Sequence, residues 1–151
     1  MGVRKKLGVI GGMGPEASSY FYQELTAATA ASSDQEHIDA LILSHATMPD
    51  RTRAIATGDS RALIDAMGSD MRLLEAWGAA NVAIPCNTSH YFYNQIQAAA
   101  PVPVIHMPRE TVRYAVERGL GDTARASGAR RIGIMATDGT VMAGVYAHEC
   151  A

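Results

Sequence analysis

Leu7-Gly-Val-Ile-Gly-Gly-Met-Gly-Pro15 carries the first strong structural signal of the chain. Its short apolar run predicts a buried strand, and the glycines that follow predict a tight turn. Pro15 suits the first position of a helix, and the acidic Glu16 beside it suits the positive end of the helix dipole. We therefore expect a strand, a turn and a helix that runs from Pro15 to about Ser32.

The same alternation of strand and helix continues along the chain, with helix ends marked by capping residues, prolines and glycines. The further predicted strands are Ala40 to Ser44, Asn81 to Ile84 and Val102 to Ile105. The further predicted helices begin at Asp59 or Ser60 and end at Gly78, run through Tyr91 and Ile96, and run from Pro108 to near Gly119. The polar segment from His45 to Gly58 is predicted to be a loop.

Strands that alternate with helices across short connections predict an α/β fold, with a parallel sheet flanked by helices. In such sheets, ligands bind at the carboxyl ends of the strands. Three loops should meet at that edge: Gly11 to Pro15, His45 to Arg53, and Pro85 to His90. Functional residues are therefore expected in these loops.

An internal repeat affects the domain assignment. Lys6-Leu-Gly-Val-Ile-Gly-Gly-Met-Gly14 is similar to Arg131-Ile-Gly-Ile-Met-Ala-Thr-Asp-Gly139, and the second copy leads into a predicted helix, Thr140 to Glu149. A second half of the same architecture is therefore expected to begin near residue 120. We expect a first domain at 1–119, and the opening strand and helix of a second, pseudo-symmetric and truncated domain at 120–151.

Composition narrows the classes of function. The chain has 151 residues, is 48% hydrophobic and 19% charged, and carries a formal net charge of −2. This balance is typical of a globular chain, and without a basic excess nucleic acid is not expected as a partner. No apolar run approaches the roughly 20 residues that span a bilayer, so we expect no membrane association and a cytoplasmic location. Two cysteines, Cys86 and Cys150, make no disulfide framework.

Cys86 is the most informative single residue. It follows a predicted strand at the start of a predicted helix, where unpaired backbone N–H groups and the helix dipole favour thiolate over thiol. Such a cysteine can remove and return a proton as a general base and acid. The local pattern leaves three alternatives open: a buried structural cysteine, a metal ligand together with His90, and a Cys86–His90 nucleophilic pair.

The other two loops give weaker signals. Gly12-Met-Gly-Pro-Glu-Ala17 satisfies a relaxed dinucleotide fingerprint, but the second predicted strand lacks the acidic residue that would hold a ribose, and Pro15 removes one amide donor. A small carboxylate over this turn, or a turn without a ligand, also fits. Arg51 lies on the polar loop, where it can hold a carboxylate through two parallel hydrogen bonds or belong to a solvated charged surface.

Five stretches together resemble the aspartate/glutamate racemase family, and within it the cofactor-independent aspartate racemases. They are Leu7 to Pro15, Asp34-Gln-Glu-His37, Met48-Pro-Asp-Arg-Thr52, Pro85-Cys-Asn-Thr88 and Gly133-Ile-Met-Ala-Thr-Asp-Gly-Thr140. They follow the family's order along nearly the whole chain. The resemblance implies two similar α/β domains facing each other across an active-site cleft, with no pyridoxal phosphate, no other cofactor and no metal.

The resemblance also implies roles for individual residues. In the family, one cysteine from each domain flanks the α-carbon of the substrate; one removes the α-proton and the other supplies a proton on the opposite face. Cys86 matches the catalytic cysteine of the first domain. The implied substrate-binding residues are Gly12, Met13, Arg51, Asn87, Thr88, Thr137 and Thr140.

One part of the family pattern does not occur in this sequence. The family's second cysteine belongs to a G-C-T motif that the chain does not contain, and Cys150 does not match it. We therefore expect the interconversion of L- and D-aspartate, or of glutamate, to be impaired in this chain, and a homodimer as the family's usual assembly. The alternatives are a cysteine-dependent isomerase of the hydantoin racemase or maleate isomerase type, and a non-catalytic carboxylate-binding remnant.

Overall fold

The computed structural model of the protein describes residues 5–121 and 131–150. Its strands are β1 (Lys6–Gly11), β2 (Ala40–Ser44) and β3 (Ala79–Ala83), which form a parallel sheet in the order β2-β1-β3. The α-helices are α1 (Pro15–Ala28), α2 (Arg51–Thr57), α3 (Arg61–Trp77), α4 (Tyr93–Ala99), α5 (Met107–Glu117), α6 (Asp138–Ala143) and α7 (Val145–Glu149). Two 3₁₀ helices cover Asp34–Glu36 and Thr88–Phe92. A parallel sheet flanked by helices confirms the predicted α/β class.

The hydrophobic core lies between the sheet and α3. β1 is the central strand, and its Val9 and Ile10 side chains are fully buried. α3 contacts all three strands with the apolar stripe that its helical spacing predicts. Burial of each large side chain of this kind contributes about 1.5–3 kcal/mol to stability. The buried members of the stripe are Leu63, Met67, Met71 and Leu74.

The prediction of a loop from His45 to Gly58 is wrong in its second half, where α2 forms. Asp50 caps this helix, because its carboxylate accepts a hydrogen bond of 2.6 Å from the backbone N–H of Arg53. Gly58, at φ +72°, ends it in the left-handed conformation. A short helix therefore presents Arg51 at a fixed place on the fold.

The predicted fourth strand, Val102 to Ile105, forms only a single parallel bridge, from Val104 to Val82. Two hydrogen bonds flank the bridge: the Val82 N–H donates to the Pro103 carbonyl, and the Ile105 N–H donates to the Val82 carbonyl. Because Pro103 has no N–H to donate, the hydrogen bonding between this segment and β3 does not extend beyond the single bridge.

The bounds of three helices also differ from the prediction. α1 ends at Ala28 and not near Ser32, because Thr29 turns to extended backbone. The third predicted helix begins as the 3₁₀ helix Thr88–Phe92 and continues as α4, and the predicted helix from Thr140 to Glu149 is divided into α6 and α7 by Gly144 at φ +62°.

None of the helices in the described part of the chain has the length and apolar composition needed to cross a bilayer.

The second copy of the repeat does not form the predicted opening strand. Residues 132–137 lie outside any strand, although the helix after them does form as α6 and α7. The expected domain boundary near residue 120 adjoins residues 122–130, which lie outside the described residues. The division into domains at 1–119 and 120–151 therefore remains a prediction.

Candidate active site at the carboxyl edge of the sheet

The carboxyl ends of the three strands bring the three expected loops together. The backbone N–H of His45, after β2, donates a 3.1 Å hydrogen bond to the Gly11 carbonyl at the end of β1. The Ser89 hydroxyl, in the segment after β3, lies 3.7 Å from the sulfur of Met13. Because parallel strands all end at one edge, residues far apart in sequence become neighbours there.

The Gly12 turn is closely packed and satisfied internally. Gly12 has φ +86°, and a Cβ at this position would lie 2.5 Å from the backbone of His45, so only glycine fits. Its N–H donates a 2.8 Å hydrogen bond to the Ser18 hydroxyl, which in turn donates to the Gly14 carbonyl. The Gly12 amide is thus already used within the turn, which weakens the dinucleotide interpretation of the fingerprint further.

Cys86 lies just beyond β3, and its residue is only 8% exposed. Its N–H donates a 2.7 Å hydrogen bond to the Ile84 carbonyl, and its own carbonyl lies 2.9 Å from Nδ1 of His90. The thiol is free of any disulfide. The helix that follows is the five-residue 3₁₀ helix with Asn87 as its N-cap, so the predicted α-helical N-terminus is not the local structure at this cysteine.

His90 contacts the backbone through both ring nitrogens. Nδ1 lies 2.9 Å from the Cys86 carbonyl oxygen. Nε2 lies 3.1 Å from the Met107 N–H, which can donate to it, and 3.4 Å from the Ile105 carbonyl oxygen. This arrangement does not favour the metal-ligand or nucleophilic-pair alternatives for Cys86 and His90. Within residues 5–121 and 131–150, no group of three or more His, Cys, Asp or Glu side chains is placed to hold a metal ion.

Residues from the end of the chain pack against the two residues after Cys86. The hydroxyl of Thr140, on α6, lies 2.9 Å from the hydroxyl of Thr88. The hydroxyl of Thr137 lies 3.4 Å from the same Thr140 hydroxyl. The Tyr146 hydroxyl, on α7, donates a 2.7 Å hydrogen bond to Oδ1 of Asn87. The structure therefore brings together Thr88, Thr137 and Thr140, which the family resemblance assigns to one site.

Tyr146 is a residue of the candidate site that sequence reasoning missed. It is 59 residues from Asn87 along the chain, and no spacing rule links two positions so far apart. A cavity of about 250 Å³ lies beside this contact, and its walls include Asn87, Tyr146 and Cys150. Cys150, which the motifs gave no role, lines the same cavity.

Arg51 is the first residue of α2, and α2 contacts the 3₁₀ helix that follows Cys86. One terminal nitrogen of its guanidinium, Nη1, donates hydrogen bonds of 3.2 and 3.1 Å to the carbonyls of Met48 and Pro49. Its Nε is buried and has no hydrogen-bond partner among the described residues. α6 packs on α2, where a Cβ on Gly139 would meet the side-chain hydroxyl of Thr52.

A histidine–aspartate contact lies behind the Gly12 turn and was also missed. Nδ1 of His45 is 2.8 Å from a carboxylate oxygen of Asp70, which α3 holds in a buried position. Since this contact and the close approach to Gly12 involve the same residue, His45 ties the edge of the sheet to the core helix.

The comparisons with known proteins place the chain in a family. A model of the family described as Asp/Glu/hydantoin racemase matches residues 10–151, nearly the whole chain. The chain belongs to the Asp/Glu/hydantoin racemase family. This membership confirms the resemblance inferred from the five sequence stretches.

Similar proteins include an amino-acid racemase and two solved structures. The broad specificity amino-acid racemase RacX of Bacillus subtilis is 28% identical over 145 residues, which cover 93% of this chain and 58% of the relative. The Picrophilus torridus aspartate racemase is 25% identical with a TM-score of 0.78, over 96% of this chain and 58% of that one. An aspartate racemase homologue from Pyrococcus horikoshii shares the fold. It is 22% identical with a TM-score of 0.63, over 76% of this chain and 50% of that one. The chain thus spans 58% of the length of both RacX and the Picrophilus torridus protein.

Proposed function

We propose that the chain supplies the first proton-transfer centre and part of the substrate site of a cofactor-independent amino-acid racemase that acts on aspartate or glutamate. The observation that carries the proposal is the set of polar groups beside Cys86: both residues after it, Asn87 and Thr88, are hydrogen-bonded by hydroxyls from residues 138–149. RacX and the Picrophilus torridus protein, both named as racemases, support the same reaction class.

The chemistry requires a base at the α-carbon and donors at the substrate carboxylate. In the proposed step, the Cys86 thiolate forms an S–H bond as the C–H bond breaks, and the electron pair of that bond passes into the α-carboxylate as an enolate. Hydrogen-bond donors aimed at the carboxylate stabilise this charge. Thr88 can donate its hydroxyl, and Asn87 can donate its amide NH₂, because Tyr146 already occupies the amide oxygen.

Inversion needs a second acid on the opposite face of the α-carbon. A proton returned by Cys86 regenerates the starting enantiomer, whereas a proton from the other face gives its mirror image. We propose that the second acid is the family's G-C-T cysteine, which is not among these 151 residues.

Arg51 supports an acidic substrate. Its buried Nε has no partner in the described structure, and a buried unsatisfied donor costs about 1–3 kcal/mol. A carboxylate that accepted from this group would remove that cost and would account for a dicarboxylic amino acid as substrate. We expect Arg51→Gln to raise the KM for aspartate more than it lowers kcat.

The experiment that tests the proposal follows the α-proton of L- and D-aspartate by NMR in deuterated buffer. We compare the unmodified chain with Cys86→Ala, and use Cys150→Ser as the matched control because Cys150 is exposed and has no implied role. With one base in the chain, solvent deuterium should enter one enantiomer faster than that enantiomer inverts. Cys86→Ala should abolish the exchange, and Cys150→Ser should retain it.

Three results would contradict the proposal. Exchange that survives in Cys86→Ala would remove the thiol from the mechanism. Inversion as fast as exchange would show that this chain already contains a second acid, and its loss in Cys150→Ser would identify that acid as Cys150. Binding of aspartate without any α-proton exchange would favour a non-catalytic carboxylate-binding protein.

The family description also favours a test of hydantoins. A 5-substituted hydantoin has an acidic C–H bond but no carboxylate, so its exchange would not depend on Arg51. If the hydantoin C–H proton exchanges rapidly, Arg51→Gln leaves this exchange unchanged, and aspartate shows no α-proton exchange, the chain is of the hydantoin racemase type. Loss of activity toward aspartate in the same variant supports the aspartate type.

The proposal includes a cytoplasmic location, expected from the sequence, and a homodimer, supported by the family resemblance. Analytical ultracentrifugation of the purified chain tests the second point directly: a species of twice the 16.0 kDa chain mass is expected. A single 16.0 kDa species at all concentrations would reject the dimer.

A further inference from the structure

The contacts of His90 favour one protonation state. The residue is 5% exposed and lies in the 3₁₀ helix after Cys86. A carbonyl oxygen only accepts hydrogen bonds, so the 2.9 Å contact with Cys86 requires a proton on Nδ1. A backbone N–H only donates, so the 3.1 Å contact with Met107 requires a lone pair on Nε2. Nε2 also lies 3.4 Å from the Ile105 carbonyl, a contact that would need a proton on Nε2. Because the contact with Met107 is the shorter of the two, the geometry favours the neutral Nδ1–H tautomer.

The surroundings of the ring favour the same neutral state. Burial lowers the pKa of His90 below its ordinary value of 6.5, and the nearby His106 lowers it further, whereas the carbonyls of Cys86 and Ile105 act in the opposite direction. The His106 ring centroid lies 5.4 Å away. A second proton on Nε2 would replace the 3.1 Å hydrogen bond from Met107 by the longer contact with Ile105.

The bridge made by His90 determines how the Cys86 main chain is held. Met107 is the first residue of α5, so the ring connects the catalytic turn to a helix of the scaffold. Because a trans peptide points its C=O and N–H in opposite directions, a carbonyl directed at His90 turns the N–H of Asn87 the other way. With its own N–H bonded to Ile84, Cys86 is fixed on both sides and only its thiol is left unanchored.

We propose that His90 is a positioning residue for Cys86: as a neutral Nδ1–H tautomer it holds the Cys86 carbonyl against α5, and no proton passes between its ring and the thiol. The inference rests on the proposed function in so far as Cys86 is the reacting group. It assigns to the Cys86–His90 spacing a role different from metal binding and from a thiolate–imidazolium pair.

The first test uses nitrogen NMR of the unmodified chain with isotope-labelled histidine. Protonated and unprotonated ring nitrogens resonate far apart, so the spectrum reports the tautomer directly. We expect a protonated Nδ1 and an unprotonated Nε2 for His90 at neutral pH. A proton on Nε2, alone or with Nδ1, would overturn the inference without any variant.

The second test separates the two arms of the bridge with two substitutions. Asparagine reaches only as far as Nδ1 and can still donate an amide N–H to Cys86, whereas glutamine reaches as far as Nε2 and can still accept from Met107. Both are made in a Cys150→Ser background, so that Cys86 is the single thiol, and both are checked for folding by chemical denaturation. The readout is the rate of alkylation of Cys86 by iodoacetamide as a function of pH.

The expected pattern is asymmetric. His90→Asn should keep the parental alkylation profile within about twofold, and His90→Gln should change the rate by about fivefold, the factor that corresponds to loss of one hydrogen bond. Equal changes in both variants would indicate a merely structural role, and no change in either would show that the bridge does not act on Cys86. An inflection in the parent that disappears in both variants would reveal a thiolate–imidazolium pair. All three results overturn the inference.

These readouts do not depend on catalysis. If the tautomer and the alkylation pattern are as expected but aspartate shows no exchange, the proposed function fails and the positioning role stands. If exchange occurs, His90→Gln should lower kcat with little change in KM, since the ring touches the cysteine backbone and not the substrate.

Discussion

The two copies of the repeat share a sequence pattern but not a structure. Lys6–Gly11 is β1, the central strand of the sheet, with Ile10 fully buried. In the equivalent segment at 131–136, residues 132–136 form no strand, and Met135, the counterpart of Ile10, is fully exposed. The difference shows that the apolar pattern specifies which side chains can be buried, and that a strand also requires neighbours to pair with.

The neighbours of β1 are identifiable. β2 and β3 pair with it on either side, and α3 packs across it. Residues 132–137 have no such strand partners among the described residues, and instead lead into α6 and α7, which pack beside Cys86. The first copy therefore contributes to stability, and the second contributes polar groups to the candidate site.

The largest expected difference is between the two equivalent apolar positions. Ile10→Ala should lower the free energy of unfolding by about 2–5 kcal/mol, because it leaves a cavity in the core. Met135→Ala should change it by less than about 0.5 kcal/mol, because the side chain is exposed. Urea denaturation followed by circular dichroism measures both. Similar losses in the two variants would mean that residues 131–136 are as well packed in solution as β1.

The equivalent glycines sharpen the same comparison. A Cβ on Gly8 would lie 2.8 and 3.1 Å from atoms of Leu74 and 3.2 Å from Ala79, whereas one on Gly133 would meet nothing within 4 Å. Gly8→Ala should therefore destabilise the fold by about 1–3 kcal/mol through overpacking. Gly133→Ala should be neutral within about 0.5 kcal/mol. The same denaturation experiment checks the pair, and a neutral Gly8→Ala would contradict the close packing of α3 on β1.

The contact between the two regions at Asn87 is expected to affect binding more than stability. Tyr146→Phe removes the hydroxyl that orients the Asn87 amide, so aspartate should bind about fivefold more weakly, the equivalent of one hydrogen bond. Tyr114→Phe is the matched control, because Tyr114 is exposed on α5. Isothermal titration calorimetry with aspartate distinguishes the two. Equal affinities for both variants would show that Asn87 needs no orientation by α7.

The smallest expected effect concerns how α7 is attached. Glu149 lies 2.9 Å from Nε of Arg109 and 3.4 Å from Nε2 of His106. The hydrogen bond from Arg109 lowers the pKa of Glu149 below its ordinary 4.5, so this attachment is complete above that pH and is lost as the pH falls through the lowered value. Burial lowers the pKa of His106 below 6.5, so its neutral form, and the stability it contributes, is also lost on acidification.

Hydrogen exchange measures this attachment. Glu149→Gln should reduce the protection of amides in α7 by roughly two- to fivefold at neutral pH, the range expected for a partly exposed ion pair. It should also remove the part of the acid sensitivity that belongs to Glu149. Glu110→Gln is the control, because Glu110 pairs with Arg113 within α5 alone. A control variant that behaved like Glu149→Gln would exclude a specific link between the two regions.

Much of the fold can be predicted from local signals. β1, α1 and α3 are recognisable from an apolar run, a proline and a helical stripe, which act over a few residues. α2 was missed although its signals are present, since Asp50 and Gly58 are an ordinary N-cap and C-terminal glycine. The failure at Val102 to Ile105 has a different cause: strand formation there depends on hydrogen-bond partners that Pro103 cannot supply.

The candidate site is predictable only in part. The strand order of a parallel sheet brings its carboxyl ends together, so the sequence alone places Gly12, Arg51 and Cys86 at one edge. The hydroxyl contacts of Tyr146 and Thr140, and the double hydrogen bond of His90, arise from packing between distant segments. No periodicity in the sequence encodes such contacts, and the position of residues 137–146 near Cys86 depends on the fold itself.

The hydroxyl pair formed by Thr88 and Thr140 has a consequence for ligand competition. Each hydroxyl carries one hydrogen, and at 2.9 Å one of the two donates to the other. A carboxylate that accepts from both threonines must first displace this internal bond, so it gains one hydrogen bond and not two. The hydrogen bond between the two threonines therefore competes with the substrate for the same hydroxyl donors. Replacing Thr140 by a residue without a hydroxyl would remove one donor to the substrate and, at the same time, the internal hydrogen bond that competes for the Thr88 hydroxyl.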